Sequence, residues 1–248
     1  MNEIIKKVLS PILKNDKIYI DPKFKKIKID VGLSINAPNT EYWLRNENDL
    51  IVIGFEPSSM CFDNLTLLNE ENRNKYTEYV FVSKERLNDS FFPIKCALSS
   101  GEPRYQKFYN TAKNKDDKSL LGCSSLYEPS HRLPIIETEN VPVISLSNVF
   151  NLFPWEEISY IDQLKIDAQG SDFNILIGAE DYLNNIAYIT IENSTYDFYK
   201  KEDDSYKFDS YLKKYSFEKI SETGGNSTYL NKNHLDKVNK IKFFIENK

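Results

Sequence analysis

Glycine is scarce where a nucleotide-cofactor turn would need it most. The chain has eight glycines in 248 residues. The stretch KIKIDVGLSINAPNTEYWL (26–44), which reads as a strand turning into a helix, contains Gly32 alone. Dinucleotide turns of this kind use two or three, so that the backbone can close on a pyrophosphate. Histidine is scarcer still: His131 and His234 are the only two, which excludes a multi-histidine metal centre, and no metal is expected. The three cysteines, Cys61, Cys96 and Cys123, are widely spaced and form no Cys-x-x-Cys pair. Neither a disulfide framework nor a zinc site is indicated, and a reduced cytoplasmic setting is expected. A net charge of −5 argues against a nucleic-acid phosphate backbone as the main partner. No apolar run approaches the length that spans a bilayer. The N-terminal MNEIIKKVLSPILKN has helical apolar spacing with lysines between, unlike the continuous core of a signal peptide. Gly-x-Ser-x-Gly elbows and phosphate-cradling loops ending in Lys-Ser or Lys-Thr are missing as well. Tyr109/Lys113 and Tyr196/Lys200 match the reductase Tyr-x-x-x-Lys spacing, but neither pair falls on a long helix.

What is present is a core-forming composition, 40% hydrophobic, and an alternation of strand and helix patterns. IKIDV (27–31) reads as a strand, PNTEYWLRN (38–46) as a helix, and DLIVIGFEP (49–57) as a strand buried on both faces. A helix at 58–76 and a strand at 91–100 follow. Residues 101–140 are polar and irregular, and are expected to form an insertion or lid over the carboxyl ends of the strands. VPVISL (141–146) and ISYIDQLKIDAQG (158–170) restore strands. The pattern then gives a long helix (171–185), a strand (187–193), a helix (208–215), and two strands (217–221, 227–232) around a Gly-Gly-Asn turn. The expected fold is a single α/β domain over 1–248. It would have a Rossmann-like, mostly parallel sheet, an antiparallel edge hairpin and an N-terminal helical extension (1–25).

Open α/β sheets bind ligands beyond the carboxyl ends of their strands, and acidic residues end four of the expected strands: Asp30, Glu56, Asp167 and Glu192. Glu56 lies 24 residues after Gly32, where a carboxylate can accept hydrogen bonds from both ribose hydroxyls. Asp167 precedes a helix start that Ser171 is placed to cap. Glu192 reads as a solvated carboxylate near the sheet edge. Asn36 stands where a second glycine is usual and tolerates positive φ. The side chains left in this loop favour a cofactor without phosphates.

The order of these motifs resembles the FkbM-type methyltransferases: IKIDVG (27–32), IVIGFEP (51–57), IKCALSS (94–100), SSL (124–126), LKIDAQGSDFNILIGAEDYL (164–183) and YITIEN (188–193). The resemblance implies a class I methyltransferase fold and S-adenosyl-L-methionine as cofactor. It implies that Asp30, Gly32, Leu33 and Asn36 form the loop at the methionine end, and that Glu56, with Pro57, holds the ribose. Ala97 and Leu98 would line the adenine, and Asp167 would sit near the amino group and the transferred methyl. Leu33, Ser34 and Asn36 depart from the family's Ala, Asn and second Gly, and Leu146-Ser147-Asn148 from its Leu-Asp-Asp. The activity the resemblance implies is O-methylation of a small-molecule or glycan acceptor at a sugar hydroxyl, with nucleotide-linked sugars and glycan intermediates among the candidates. Asp167 is the first candidate base and His131 the second, with Arg104, Tyr127 and Arg132 against the acceptor. Competing readings are a non-catalytic binding module on the same fold and a nicotinamide-dependent reductase. Oligomeric state is left open.

Overall fold

The computed structural model describes residues 1–66, 79–113, 120–130, 132–192 and 206–238. Helix α1 (Glu3–Leu9) is capped by Asn2, whose side chain accepts a hydrogen bond from the Ile4 amide at 2.8 Å. Short strands β1 (Leu13–Lys14) and β2 (Lys17–Ile18) pair antiparallel. Ile5, Leu9, Ile12 and Ile18 turn inward and join the main core. Next come β3 (Lys26–Val31), α2 (Pro38–Asn46), β4 (Leu50–Phe55), α3 (Ser59–Thr66) and β5 (Phe91–Ile94). All six residues of β4 are buried. Each large apolar side chain among them contributes about 1.5–3 kcal/mol, which is why this run tolerates no polar interruption.

The expected strand at 91–100 is two strands. β5 pairs with β4, and after Lys95–Cys96 the chain leaves the sheet as β6 (Ala97–Leu98). Pro93 is tolerated because β5 is an edge strand. Within residues 101–140, expected to be irregular from their polarity, the described residues include two long strands. β7 (Arg104–Thr111) and β8 (Ile135–Ile144) form a long antiparallel ladder, joined by β6 into a second, three-stranded sheet. Residues 135–140 of β8 are largely exposed, whereas Phe108, Asn110 and Thr111 of β7 are buried. Only Phe108, Val141, Val143, Ala97 and Leu126 gather into an apolar cluster at the base. A ribbon that packs over such a small area need not be apolar along its length.

After β8 come α4 (Leu146–Phe150), β9 (Ile161–Ile166), α5 (Asp172–Ala179), β10 (Ile186–Glu192), α6 (Tyr206–Lys213), β11 (Phe217–Thr223), β12 (Asn226–Asn231) and α7 (Leu235–Val238). The sequence departure at Leu146-Ser147-Asn148 serves a capping box at the start of α4. There the Asn148 amide donates to Ser145 Oγ at 3.2 Å, and Asn148 Oδ1 accepts from the Ser145 amide at 3.0 Å. The expected helix over 171–185 breaks at Glu180, whose φ is 52°, and continues as a 3-10 turn.

The main sheet has seven strands in the order β11-β12-β10-β9-β3-β4-β5. β10, β9, β3, β4 and β5 are parallel, and only β12 runs against the others. Gly224 and Gly225, with φ of 59° and 77°, make the hairpin turn between β11 and β12. The chain enters at β3, builds outward through β4 and β5, then returns to β9 on the other side of β3. The crevice at that reversal, between the carboxyl ends of β3 and β9, is where such sheets hold ligands.

Candidate active site

The crevice is built around one close approach. Gly32, with φ of 79°, lies so near the end of β9 that a Cβ there would stand 1.8 Å from the Asp167 carbonyl oxygen. The missing side chain lets two strand ends meet, and the Asp167 amide donates to Val31 O at 3.1 Å. Beneath this junction Lys165, almost wholly buried, donates to the carbonyl of Gly32 at 2.9 Å and that of Val31 at 3.3 Å. Its ammonium stands 3.4 Å from Asp30 Oδ1 and 3.4 Å from Asp167 Oδ2. Burial works against a charge on Lys165, but the two carboxylates outweigh it and hold the amine protonated well above its usual range. Asp30 is completed by Thr40, whose hydroxyl donates to Oδ2 at 2.7 Å.

Above the junction is a cavity of about 240 Å³. Gly32, Glu56, Pro57, Ala97, Leu98 and Asp167 line it together. Asp30 lies behind this wall. Leu33 is fully buried in a secondary core with Leu50 and Val52, and Asn36 is turned away to donate to Val80 O at 3.2 Å. The left-handed residues of the first loop are Ser34 (φ 58°) and Ala37 (φ 49°), not Asn36. Ser34 reaches the cavity instead, and its amide donates to Glu56 Oε2 at 2.8 Å. The Ser58 amide donates to Glu56 Oε1 at 2.9 Å. Burial pushes the Glu56 carboxyl up to about 7 even against these two amides. Each oxygen keeps a second acceptor site free for a ligand.

The roof comes from the three-stranded sheet and the segment after it: Phe108, Leu121, Gly122, Ser124 and Leu126. Ser125 Oγ fastens this roof to the β9 side by donating to Gln169 O at 2.7 Å. Tyr127 OH accepts from Asn174 Nδ2 at 2.7 Å, so Tyr127 braces the roof on α5 and does not line the cavity. Arg104 donates to the carbonyl of Ser100 at 2.9 Å and to Gln106 Oε1 at 3.1 Å. Arg132 is exposed. The three expected acceptor contacts therefore do not converge. His131, the second candidate base, lies outside the described residues.

On the β9 side the turn is held by Asp172, not by the expected Ser171 cap. Asp172 accepts from the amides of Ala168 at 2.8 Å and Gly170 at 3.1 Å. Beside it, Gln169 Nε2 donates to Asp167 Oδ1 at 2.6 Å and to Glu192 Oε2 at 2.7 Å. Glu192 is thus part of the site, not a solvated edge carboxylate. Burial, and then the Asp167 charge, push its carboxyl up to about 8. Burial acts on Asp167 in the same sense, but Lys165 and hydrogen bonds from Glu192 and Gln169 overturn it and keep Asp167 below the usual carboxylate range. Lys165, Gln169 and Glu192 are the site residues that sequence reasoning missed. Lys165 could have been found as a cation between the apolar Leu164 and Ile166 of β9, whereas the pairing of Glu192 with Asp167 exists only once β9 and β10 lie side by side.

Residues 30–219 match the family model of the methyltransferase FkbM domain. The chain belongs to the FkbM methyltransferase family. No curated protein matches it. Among solved structures, it resembles a methyltransferase FkbM from Methylobacillus flagellatus KT at 11% identity and a TM-score of 0.45, covering 84% of this chain and 44% of that one. It therefore spans less than half the length of that FkbM protein. It also resembles a human methyltransferase 10 domain containing protein, at 10% identity and a TM-score of 0.36, covering 91% of this chain and 78% of that one. The strand order of the main sheet, with its single reversed strand at β12, is this FkbM chain's own evidence for a Rossmann-like α/β fold.

Among the described residues, the ionisable groups on the cavity wall that carry charge are Glu56 and Asp167, both acidic. Lys165, the nearest cation, is consumed behind the wall. A pyrophosphate placed here would face two carboxylates and no ammonium or guanidinium. A ligand with a cationic end, hydroxyls in the middle and a flat apolar end fits the strand order: Asp167 after β9, Glu56 after β4, and Ala97 and Leu98 beyond β5.

Proposed function

We propose that this protein transfers a methyl group from S-adenosyl-L-methionine to a hydroxyl oxygen of a sugar acceptor. One observation carries the cofactor half: an apolar cavity whose two acidic wall groups stand at the carboxyl ends of β4 and β9, suited to a ribose diol and to a cationic amino acid moiety. When bound there, the cofactor supplies an electrophilic methyl on a sulfonium. Glu56 would accept the two ribose hydroxyls while remaining fixed by the amides of Ser34 and Ser58. Asp167, kept ionised by Lys165, would face the cationic end. The roof from Phe108 to Leu126 would exclude water, so that alignment of the acceptor oxygen with the methyl supplies much of the acceleration. The acceptor half rests on the sequence resemblance to enzymes that methylate hydroxyls, and Asp167 is its nearest group able to take the hydroxyl proton.

The test is transfer of labelled methyl from S-adenosylmethionine to a panel of monosaccharides and nucleotide-linked sugars, with wild type and Glu56→Gln compared. The expected result is a labelled sugar ether with wild type and a loss of roughly 10- to 100-fold in kcat/KM for the variant, the scale of one or two charge-assisted hydrogen bonds. Label appearing on nitrogen or on a carboxyl group would contradict the hydroxyl assignment.

A further inference from the structure

The contact between Gln169 and two carboxyl groups is unusual in its stoichiometry. One amide nitrogen bridges Asp167 Oδ1 at 2.6 Å and Glu192 Oε2 at 2.7 Å. Asp167 has a second partner in Lys165 at 3.4 Å, while Glu192 has no ion pair among the described residues. The two carboxyls end neighbouring parallel strands, where Ile166 of β9 pairs with Ile191 of β10. Two carboxyls this close cannot both ionise without a cation between them. Lys165 neutralises the Asp167 side from below, leaving the pair one proton to share. Burial and the Asp167 charge raise the Glu192 carboxyl while Lys165 holds Asp167 low, so the shared proton favours Glu192. Charged or titratable groups that act on Glu192 are Asp167, Asp172 and, more weakly and with opposite sign, Lys165. Cys123 on the roof senses both carboxyls. Glu192's neighbour on β12 is Asn226, which carries no charge.

Asp167 and Gln169 line the cavity, so the bridging amide holds the position that a ligand N–H donor would take. We propose that Glu192 and Asp167 together form a seat for the cofactor's ammonium group, which enters by displacing the Gln169 amide and in exchange for one proton. This rests on the proposed use of S-adenosylmethionine and adds Glu192 to the residues that hold it. With the ammonium in place both carboxyls are ionised, and the proton leaves Glu192 for solvent.

The experiment is calorimetric titration of the protein with S-adenosylhomocysteine at pH 7 in buffers of different ionisation enthalpy, which counts protons released on binding. Wild type is expected to release about one proton more than Glu192→Gln, because Glu192 is mostly protonated at that pH and fully ionised in the complex. Proton release by Glu56 is common to both proteins and cancels. Equal proton counts would overturn the ammonium seat while leaving the cofactor reading intact, whereas no binding by wild type would overturn both. Glu192→Ala serves the same comparison should glutamine unsettle the fold. Infrared titration of the free wild-type protein gives an independent reading. A protonated-carboxyl band that disappears near pH 8 and is missing from the variants is expected, and its absence from wild type would overturn the proposal.

Discussion

Lys165 decides the electrostatics of the site although it never reaches the cavity. It is a buried cation facing two buried carboxylates, and its remaining hydrogens go to the carbonyls of Val31 and Gly32. Such clusters contribute little against an apolar replacement of the whole set, but removing one member strands the others. Lys165→Met is therefore expected to cost about 3–5 kcal/mol in urea unfolding, and Lys165→Met with Asp30→Asn to recover part of that loss. A single variant as stable as wild type would show that the ammonium does not balance Asp30 and Asp167. Gly32 acts at the same junction by what it lacks, since any side chain would collide with the Asp167 carbonyl. Its scarcity of glycine neighbours reflects this role: the close partner of the loop is another strand end, not a pyrophosphate.

The strand buried on both faces was legible in the continuous apolar run of DLIVIGF, and β9 in the apolar alternation of Ile161, Leu164 and Ile166. The ribbon of β7 and β8 was not legible, since its ladder is held by backbone pairing and the side chains it buries include polar Asn110 and Thr111. Glu56 and Asp167 were read from their positions at strand ends, and Pro57, Ala97 and Leu98 from the family resemblance; all five line the cavity. Leu33 and Asn36 were drawn to the cavity by the same logic, but the left-handed turn at Ser34 directs them elsewhere. Glu192 stayed hidden because its partner is 25 positions earlier in the chain. The roof segment is tied to β7 by Tyr109 and Thr111 and to the β9 side by the Ser125–Gln169 and Tyr127–Asn174 hydrogen bonds. Tyr127→Phe removes one of them, at about 1 kcal/mol. Amides of 120–130 are expected to exchange with solvent severalfold faster in that variant, while those of β4 keep the wild-type rate. Unchanged exchange in the roof would show that it is held by other contacts.

At the scale of the whole molecule, folding gathers acids into places where their charge is unwelcome. Burial raises Glu56 to about 7, Asp162 and Asp172 to about 6, and Glu192 to about 8. Each folded-state value lies above the unfolded one, so the native protein binds more protons across this window. Stability then falls as pH rises from about 5 to 8. The loss between pH 5.5 and pH 8.5 is expected to reach roughly 2 kcal/mol or more in denaturant titrations, since each tenfold gain in proton affinity on folding is worth about 1.4 kcal/mol. A cationic ligand bridging Asp167 and Glu192 would reduce that slope. Stability rising over the same range would contradict the burial of these groups.

The central claim is that an acidic cavity at the β3–β9 reversal accepts S-adenosylmethionine and rejects pyrophosphate cofactors. The most direct measurement is calorimetric titration of the protein with S-adenosylhomocysteine and, separately, with NAD. The account predicts saturable one-to-one binding of the first, weakened at least tenfold by Glu56→Ala, and no binding of the second. Binding of NAD in place of S-adenosylhomocysteine would contradict it.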